Sequence, residues 1–396
     1  MLNEEKTIVI GVTGGIAVYK ALDVISKLKK KGFQVKVIMT EAATKFVAPL
    51  SFQTLSQNVV NIDMFQEPKA WEIQHISLAK EADLLAVIPA TANIIGKVSN
   101  GIADDLLTTT IMATKAPVVF APAMNTNMYN NPIVQSNINK LMRFGYEFIN
   151  PSTGKLACGD VGTGKLENTD FIVQVIESML YDIKDLKGKK VMVTAGPTRE
   201  EIDPVRYITN KSSGKMGYAI AEEARDRGAE VTLISGPTNI EIPFGVNFIN
   251  VNTNEEMLNA VLNGFKSQDI IVKAAAVCDY KPKTYSDKKI KKSEDEFLLS
   301  LVKDIDILKK LGQLKDKQIL VGFAAESNDL IENAEKKLKN KNLDYIVAND
   351  ITGTDIGFSS DDNKVTILFS DGNKVSLDKM SKREVARKIF NIVMSR

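Results

Sequence analysis

The sequence contains few of the residues on which many enzyme mechanisms depend. Its 396 residues include one histidine, His75, and two cysteines, Cys158 and Cys278, which lie far apart in the chain. A single histidine excludes a histidine-rich metal site and leaves one imidazole for acid–base chemistry. Two distant cysteines do not suggest a disulfide framework, so we expect a reducing compartment.

The sequence also lacks a strong net charge and long apolar runs. Lys plus Arg number 51 and Asp plus Glu number 49, which gives a formal net charge of +2. This balance creates no chain-wide field that would hold nucleic acid or an anionic membrane, so we expect small-molecule partners. No stretch approaches the about 20 apolar residues of a membrane helix, and the first residues do not resemble a signal peptide. We therefore expect a cytoplasmic protein.

The sequence does contain a regular alternation of strand-like and helix-like segments, and its length predicts two or three domains. Short β-branched runs in the first half predict strands at 7–12, 35–40, 84–90 and 117–123. Strands without polar alternation are typical of parallel sheets that helices cover on both faces. We therefore predict a doubly wound parallel α/β domain over residues 1–182, with its last helix at 169–180.

The second half is expected to be another Rossmann-like α/β domain, over residues 191–396. The polar stretch 183–190 before it contains one glycine and no apolar period, which predicts a linker. Strands are expected at 191–195, 230–235, 269–276, 319–325, 345–348 and 365–369, and helices at 217–227, 328–339 and 381–393. Each half opens with a strand, a turn that contains glycine, and a helix.

The turn after the first strand has two adjacent glycines, Gly14 and Gly15. Free N–H groups and the positive end of the following helix favour a phosphate there. The spacing is not that of the dinucleotide fingerprint, and the local pattern fits equally well a turn that needs glycine only for packing. A mononucleotide such as a flavin phosphate is compatible with the turn.

A second glycine-rich stretch covers residues 159–165. It has the Walker spacing, but Leu166 follows where a Ser or Thr would bind Mg²⁺, so we reject a triphosphate-binding loop. The stretch follows polar residues instead of a buried strand, which favours a glycine-rich flap carrying Cys158. An isolated cysteine is usually an inert core residue, but this one has polar and glycine neighbours.

Three further segments lie at or just after predicted strand ends, where open α/β sheets bind ligands. They are Pro-Ala-Thr-Ala-Asn at 89–93, Gly-Ile-Ala-Asp-Asp at 101–105 and Pro-Ala-Met-Asn at 122–125. His75 precedes an amphipathic segment, and by default a histidine in that position is a bystander.

Taken in order, the Gly-Gly turn, His75, the segments 89–93 and 122–125, and Ala-Cys-Gly at 157–159 resemble a family of bifunctional coenzyme A biosynthesis proteins. In this family a phosphopantothenoylcysteine decarboxylase is joined to a phosphopantothenate–cysteine ligase, and the similarity covers nearly the whole chain. The first half resembles the homo-oligomeric flavin-containing cysteine decarboxylases. The resemblance implies that FMN is bound by Gly14, Gly15, Thr40, Thr91 and Asn93.

Decarboxylation of a saturated cysteine carboxylate leaves an unstabilised carbanion, so the reaction needs an electron sink. The resemblance implies that FMN oxidises the substrate thiol to a thioaldehyde, which accepts the electrons released with CO₂, and that the reduced flavin returns a hydride. It further implies that His75 acts at the centre of oxidation and decarboxylation. Asn125 would hold the substrate carboxylate, and Cys158 would donate the final proton.

In the second half, residues 203–217 carry Arg206, Asn210 and Lys215 just before a predicted helix. A helix start needs a cap but does not need these three side chains together. In the ligase family that this half resembles, the matching motif binds phosphopantothenate and the acyl nucleotide. The resemblance therefore assigns Asn210 to the catalytic site.

Six lysines crowd residues 281–292, a pattern that a solvated loop would also explain. The resemblance implies that Lys289 stabilises negative charge while a carboxylate attacks the α-phosphate of CTP. Cys278 lies in an apolar strand and is expected to be structural. The CTP site that the resemblance implies consists of Asp279, Lys289, Phe323, Lys337 and Lys341.

The ligase half is thus expected to activate phosphopantothenate as an acyl-cytidylate with Mg²⁺, to release pyrophosphate, and to admit the amine of cysteine. The Mg²⁺ ligands are not identified, and the product would feed the first half. The resemblance also implies a homo-oligomer with trimeric decarboxylase contacts and dimeric ligase contacts. Two positions depart from the family pattern: no proline precedes Asp306, and Ser359 stands where glycine is usual.

Two other functions compete with this interpretation. A nicotinamide-dependent oxidoreductase would need a dinucleotide turn and an acidic ribose ligand, and neither pattern is convincing. A flavin-binding regulatory or scaffold protein would explain the first half without turnover. The presence of His75, Asn125 and Cys158, together with a full ligase half, favours the enzyme.

Overall fold

A computed structural model describes residues 6–65, 73–157, 159–291, 298–326, 330–350 and 360–395. The chain divides into two compact units, Met1–Tyr181 and Asp182–Arg396. Each unit has its own sheet and hydrophobic core. Within the described ranges, no helix combines the length and the apolar character needed to cross a membrane.

The first unit is built on a six-stranded parallel sheet with the strand order β3-β2-β1-β4-β5-β6, beside a separate β7-β8 hairpin. The strands are β1 (Thr7–Val12), β2 (Gln34–Met39), β3 (Val60–Asn61), β4 (Leu84–Ala90), β5 (Val118–Pro122), β6 (Glu147–Phe148), β7 (Ser152–Lys155) and β8 (Val161–Lys165). The helices are α1 (Val18–Lys30), α2 (Glu41–Thr44), α3 (Pro49–Ser56), α4 (Gln74–Glu81), α5 (Ala92–Ser99), α6 (Leu106–Ala113), α7 (Thr126–Tyr129), α8 (Pro132–Arg143) and α9 (Thr169–Met179).

The central strand β1 is apolar without alternation because helices pack on both faces of the sheet. Ile8 and Ile10 belong to one core cluster and Val9 belongs to the cluster on the other face. The strand order reverses between β1 and β4, which creates the crevice in which open α/β sheets bind ligands. The predicted doubly wound fold of the first half is therefore confirmed.

The second unit contains an eight-stranded sheet with the strand order β13-β12-β9-β14-β17-β18-β19-β20 and two small hairpins, β10-β11 and β15-β16. The strands are β9 (Lys190–Ala195), β10 (Arg199–Asp203), β11 (Arg206–Thr209), β12 (Glu230–Ser235), β13 (Val246–Asn250), β14 (Ile270–Lys273), β15 (Tyr280–Pro282), β16 (Leu301–Lys303), β17 (Ile319–Glu326), β18 (Tyr345–Asp350), β19 (Asp362–Phe369) and β20 (Lys374–Ser381). The helices are α10 (Lys215–Asp226), α11 (Asn254–Gly264), α12 (Ile307–Leu314), α13 (Leu330–Asn340) and α14 (Lys382–Met394), with a 3-10 turn at Phe265–Ser267.

The second sheet is mixed, not entirely parallel. Six neighbouring strands of this sheet run parallel and bear out the Rossmann-like class; in sheet order they are β13, β12, β9, β14, β17 and β18. The next strand, β19, pairs antiparallel with both β18 and β20. The sequence patterns predict neither β13 nor β20. Both are edge strands whose partly exposed polar residues interrupt the apolar run.

The segment 183–190, which its polarity predicts to be a linker, packs against the second unit instead. Leu186 is fully buried in the core of that unit, and its N–H donates to the carbonyl of Arg227 (3.2 Å). Lys184 Nζ donates to the carbonyl of Asp226 (2.7 Å). A single buried leucine creates no apolar period, which is why the local pattern resembles a linker.

Candidate active sites

The Gly-Gly turn of the first unit combines the two roles that the sequence left open. A Cβ on Gly14 would lie 2.5 Å from Cβ of Ala42, so this glycine is required for packing against α2. A Cβ on Gly15 would meet only the methyl group of Thr91, at 3.7 Å. Gly15 therefore lines open space at the start of α1, where a phosphate could approach the backbone.

Threonine side chains fix the strand ends around this turn. Thr13 Oγ1 donates to the carbonyl of Pro89 (2.7 Å) and accepts from the N–H of Thr91 (3.1 Å), which ties the end of β1 to the end of β4. Thr91 Oγ1 accepts from Ile94 N–H (3.4 Å) and caps α5, and Thr40 caps α2 in the same way. The predicted flavin-binding residues Gly14, Gly15, Thr40, Thr91 and Asn93 thus follow three neighbouring strands at one edge of the sheet.

Asn125 follows β5 and faces the predicted flap, which forms the β7-β8 hairpin. Asn125 Nδ2 donates to Asp160 Oδ2 (3.0 Å), and Met124 N–H donates to the carbonyl of Gly164 (2.9 Å). Gly164 has φ +142°, and a Cβ there would lie 2.3 Å from the carbonyl oxygen of Met124. The glycines of this stretch therefore let the hairpin lie against the loop that carries Asn125. Cys158 lies outside the described residues.

His75 and Asn125 are positioned by strands that lie four places apart in the sheet. His75 is the second residue of α4, and the adjacent Gln74 Nε2 donates to Asn61 at the end of β3. Asn125 follows β5, which is separated from β3 by β2, β1 and β4. Four spacings of about 4.8 Å place these strand ends roughly 19 Å apart.

The second unit has a pocket of about 290 Å³ at the carboxyl ends of β14, β17 and β18, beside the N-terminus of α10. Asn210 forms part of the wall, and its Nδ2 donates to the carbonyls of Ala276 (3.2 Å) and Val277 (2.8 Å). Phe323 and Lys215 line the same pocket. Sequence motifs that are more than a hundred residues apart therefore meet at the point where the strand order of this sheet reverses.

Lys289 is exposed, but the chain beside it is held by a buried carboxylate. Asp203 Oδ2 accepts from Ile290 N–H (3.1 Å) and from Arg206 Nη1 (3.1 Å), and Arg206 Nη1 also donates to the carbonyl of Ile290 (3.2 Å). Burial would raise the pKa of Asp203, but the N–H groups of Val205, Ile290 and Arg206 outweigh it and hold the pKa below its usual value. The sequence shows Arg206 and Lys289 in separate motifs, and Asp203 connects them.

A buried lysine that sequence reasoning missed lies among the residues predicted to bind CTP. Lys273, the last residue of β14, is 8% exposed, and its Nζ donates to the carbonyl of Ala275 (2.8 Å). Its charged neighbours include Asp279, Lys337 and Lys341, which are all predicted to bind CTP, and Asp306. Burial, followed by repulsion from Lys341, lowers the pKa of Lys273 to about 8. The only signal in the sequence is a charged residue that ends an apolar strand.

The two departures from the family pattern have different outcomes. Asp306 forms the N-cap of α12 without a preceding proline, since its Oδ1 accepts from Lys309 N–H (3.0 Å), and its Oδ2 pairs with Lys341 Nζ (2.8 Å). Ser359 lies outside the described residues. Among the residues that the structure describes, no cluster of three His, Cys, Asp or Glu could hold a metal ion. Cys278 is buried, as predicted, but it lies in the loop after β14 and not in a strand.

Comparison with known proteins defines the class of each half. Residues 1–181 match the family model described as Flavoprotein, and residues 186–396 match the C-terminal domain of the DNA/pantothenate metabolism flavoproteins. The chain is therefore a flavoprotein domain fused to a pantothenate-metabolism domain.

Relatives over the whole length identify the family. The coenzyme A biosynthesis bifunctional protein CoaBC of Bacillus subtilis is 53% identical over 393 residues, which cover 98% of this chain and 97% of the relative. The protein of the same name from Borreliella burgdorferi is 46% identical over 395 residues, 99% and 100% of the two chains. The solved C-terminal domain of a CoaBC protein is 45% identical and covers 54% of this chain and 97% of its own, with a TM-score of 0.47.

This chain belongs to the family of coenzyme A biosynthesis bifunctional proteins, CoaBC. It is an enzyme with a decarboxylase half and a ligase half, which confirms the resemblance drawn from the motifs.

Proposed function

We propose that this chain catalyses two consecutive steps. It joins cysteine to 4'-phosphopantothenate with CTP, and it then decarboxylates the 4'-phosphopantothenoylcysteine to 4'-phosphopantetheine with FMN. We assign the decarboxylase to residues 1–182 and the ligase to residues 191–396. The observation that carries the proposal is that predicted site residues of each unit lie at the carboxyl edge of its sheet, close to the point where the strand order reverses: Gly14, Gly15, Thr40, Thr91 and Asn93 in the first unit, and Asn210 and Phe323 in the pocket of the second.

In the decarboxylase half, the residues present fit the phosphate of FMN. Gly15 lines open space, and α1 and α5 begin beside it, so backbone N–H groups are available to an anion. FMN, when bound, supplies the electron sink that loss of CO₂ from a saturated carboxylate requires. Thr40, Thr91 and Asn93 would orient it from the neighbouring strand ends.

Asn125 would bind the substrate carboxylate through its amide. The contact between Asn125 Nδ2 and the carboxylate of Asp160 supports this role, because it shows that the amide can donate to a carboxylate in this position. A substrate carboxylate would replace Asp160. His75 would act where the thiol is oxidised and CO₂ leaves, and Cys158 would protonate the product.

We further propose that the protein works as a homo-oligomer. The decarboxylase half would form trimeric contacts, and the ligase half would form dimeric contacts. The strand order supports this, since His75 and Asn125 are both needed at one reaction centre, and the end of β3, which Gln74 next to His75 contacts, lies roughly 19 Å from the end of β5, which Asn125 follows. A second copy that supplies the missing side chain would complete the site. We propose a cytoplasmic location, where thiols stay reduced.

In the ligase half, the carboxylate of phosphopantothenate would attack the α-phosphate of CTP, and pyrophosphate would leave. The amine of cysteine would then attack the acyl carbon and release CMP. Lys289 would stabilise the charge that develops at the phosphate, and Asn210 would position the acyl nucleotide in the pocket. Asp279, Phe323, Lys337 and Lys341 would hold CTP, with Mg²⁺ accompanying the triphosphate.

The test supplies the whole protein with 4'-phosphopantothenate, cysteine, CTP and Mg²⁺ and follows pyrophosphate and CO₂ separately. We expect one CO₂ for each pyrophosphate once the intermediate has built up, and a flavin absorption band in the purified protein. Omission of cysteine should stop CO₂ release but permit a burst of pyrophosphate. Absence of pyrophosphate in the complete mixture, or CO₂ release that does not depend on CTP, would contradict the proposal.

A further inference from the structure

Lys382 faces the pocket of the ligase half although only 6% of the residue is exposed. It is the first residue of α14, and its Nζ donates to the carbonyl of Ser360. Lys215, the first residue of α10, lines the same pocket, and its Nζ donates to Asp361 Oδ1 (2.6 Å). Two ammonium groups thus lie at one pocket. Asp361, the acidic partner of Lys215, has a side chain that is 87% exposed. Such an arrangement favours an additional anion.

The same pocket contains two buried amide oxygens. Asn349 and Asn363 are 8% and 2% exposed, and the Oδ1 atom of each finds no hydrogen-bond donor among the described residues. A buried carbonyl oxygen without a donor is unfavourable, so these two atoms point to a ligand that brings N–H or O–H groups. The pocket therefore contains hydrogen-bond acceptors as well as cations.

The N-terminus of α10 adds to the positive charge at the pocket. Gly214 is its N-cap and has no capping side chain, and the first residues of the helix, Lys215, Met216 and Gly217, line the pocket, so the positive end of the helix faces it. A Cβ on Gly214 would lie 2.7 Å from Thr238 Cγ2, at φ +82°, so a capping side chain cannot be accommodated here. An anion that reaches this helix end would lie beside Lys215, in the pocket that Lys382 also lines.

We propose that Lys382 is a further ligand-binding residue of the ligase site, which together with Lys215 and the N-terminus of α10 holds a phosphate group of a substrate. The phosphate belongs either to phosphopantothenate or to CTP, which share this chemistry. The inference rests on the proposed ligase function and adds a residue to it.

The lowered pKa of Lys382 makes its contact with a phosphate measurable. Burial, followed by repulsion from Lys215, lowers the pKa of Lys382 to about 8, although Asp361 and Asp362 act in the opposite direction. A bound phosphate favours the ammonium form and raises this pKa again. Near pH 8 about half of the empty sites carry the proton and nearly all of the occupied sites do, so binding takes up about half a proton. For the same reason the affinity should fall about tenfold between pH 7 and pH 9.

The test is calorimetric titration of the whole protein at pH 8, in buffers that differ in ionisation enthalpy, with 4'-phosphopantothenate alone and with CTP and Mg²⁺ alone. Neither ligand is turned over without the other. Lys382→Arg keeps a permanent charge, so it should bind at pH 9 as at pH 7 and take up about half a proton less than the wild type. Lys382→Met should bind about tenfold more weakly. Lys364→Met, at an exposed lysine of β19, is the matched control and should behave as the wild type.

The two arms identify which phosphate contacts Lys382. A difference between wild type and Lys382→Arg with phosphopantothenate assigns the contact to that substrate, and a difference with CTP assigns it to the nucleotide. Equal proton uptake and equal pH dependence in both arms would overturn the inference. Failure of the inference does not contradict the ligase function as long as the wild type releases pyrophosphate in the complete mixture. A wild type that releases no pyrophosphate would overturn the proposed function itself.

Discussion

Gly164→Ala is expected to separate the flap from the loop that carries Asn125. The added Cβ would lie 2.3 Å from the carbonyl oxygen of Met124, and the neighbour is backbone, which cannot rotate away. The residue also has φ +142°, a conformation that alanine rarely adopts. The hairpin must therefore move, and the hydrogen bond from Met124 N–H to the carbonyl of Gly164 (2.9 Å) would be lost.

The size of the effect follows from these two contributions. The lost hydrogen bond is worth about 1 kcal/mol, and the backbone strain costs about 1 to 3 kcal/mol. Together they weaken the docking of the hairpin by about 2 to 4 kcal/mol, which lowers the ratio of docked to undocked flap at least about 30-fold. Because the hairpin can detach locally, we expect the global stability of the unit to fall by less.

The assay measures decarboxylation of supplied 4'-phosphopantothenoylcysteine beside CTP-dependent pyrophosphate release. Gly164→Ala should lower decarboxylation at least about tenfold and leave pyrophosphate release unchanged. The matched control is Gly154→Ala in the partner strand β7, where a Cβ meets only Lys165 Cδ at 3.8 Å, and it should behave as the wild type. Decarboxylation by Gly164→Ala at the wild-type rate would refute the docked flap as a requirement.

The remaining predictions concern the proposed division of labour. His75→Asn should abolish decarboxylation and spare pyrophosphate release, because the only imidazole lies in the other half of the chain, and Lys289→Gln should do the reverse. Both activities are measured in each folded variant, and the loss of both in either one would contradict the assignment. Cys158→Ala should stall after CO₂ has left, because its proposed proton is needed only for the final product. In stopped-flow absorbance the flavin should bleach during one burst of CO₂, with an enethiol accumulating; steady phosphopantetheine production would make Cys158 a bystander.

Local patterns predicted correctly those strands whose bounds are determined by their own residues. The strands at 7–12, 84–90 and 230–235 have the predicted bounds, because each is an apolar run ended by a turn. No local pattern reveals that β19 pairs antiparallel with β18 and β20 at one side of the second sheet, because an apolar run does not indicate in which direction a strand runs. Leu186 shows the same limit, since its burial depends on partners elsewhere in the unit.

The same reasoning separates the candidate site residues that were foreseen from those that were not. The strand-end motif at 122–125 indicated Asn125, because the carboxyl edge of a parallel sheet is a general binding place. Asn210 was indicated by the resemblance of residues 203–217 to the ligase motif. Lys273 and Lys382 were missed because an isolated lysine is usually read as a surface residue. Their burial is created by distant elements, as is the contact between Asp203 and Ile290, 87 positions apart.

The most direct test of the central claim uses cysteine labelled in its carboxyl carbon. The wild-type protein, supplied with this cysteine, 4'-phosphopantothenate, CTP and Mg²⁺, should release labelled CO₂, because only ligation followed by decarboxylation removes that carbon. The release should stop when either CTP or phosphopantothenate is left out. Labelled CO₂ in the absence of CTP, or labelled 4'-phosphopantothenoylcysteine that accumulates without loss of CO₂, would contradict two consecutive activities in one chain.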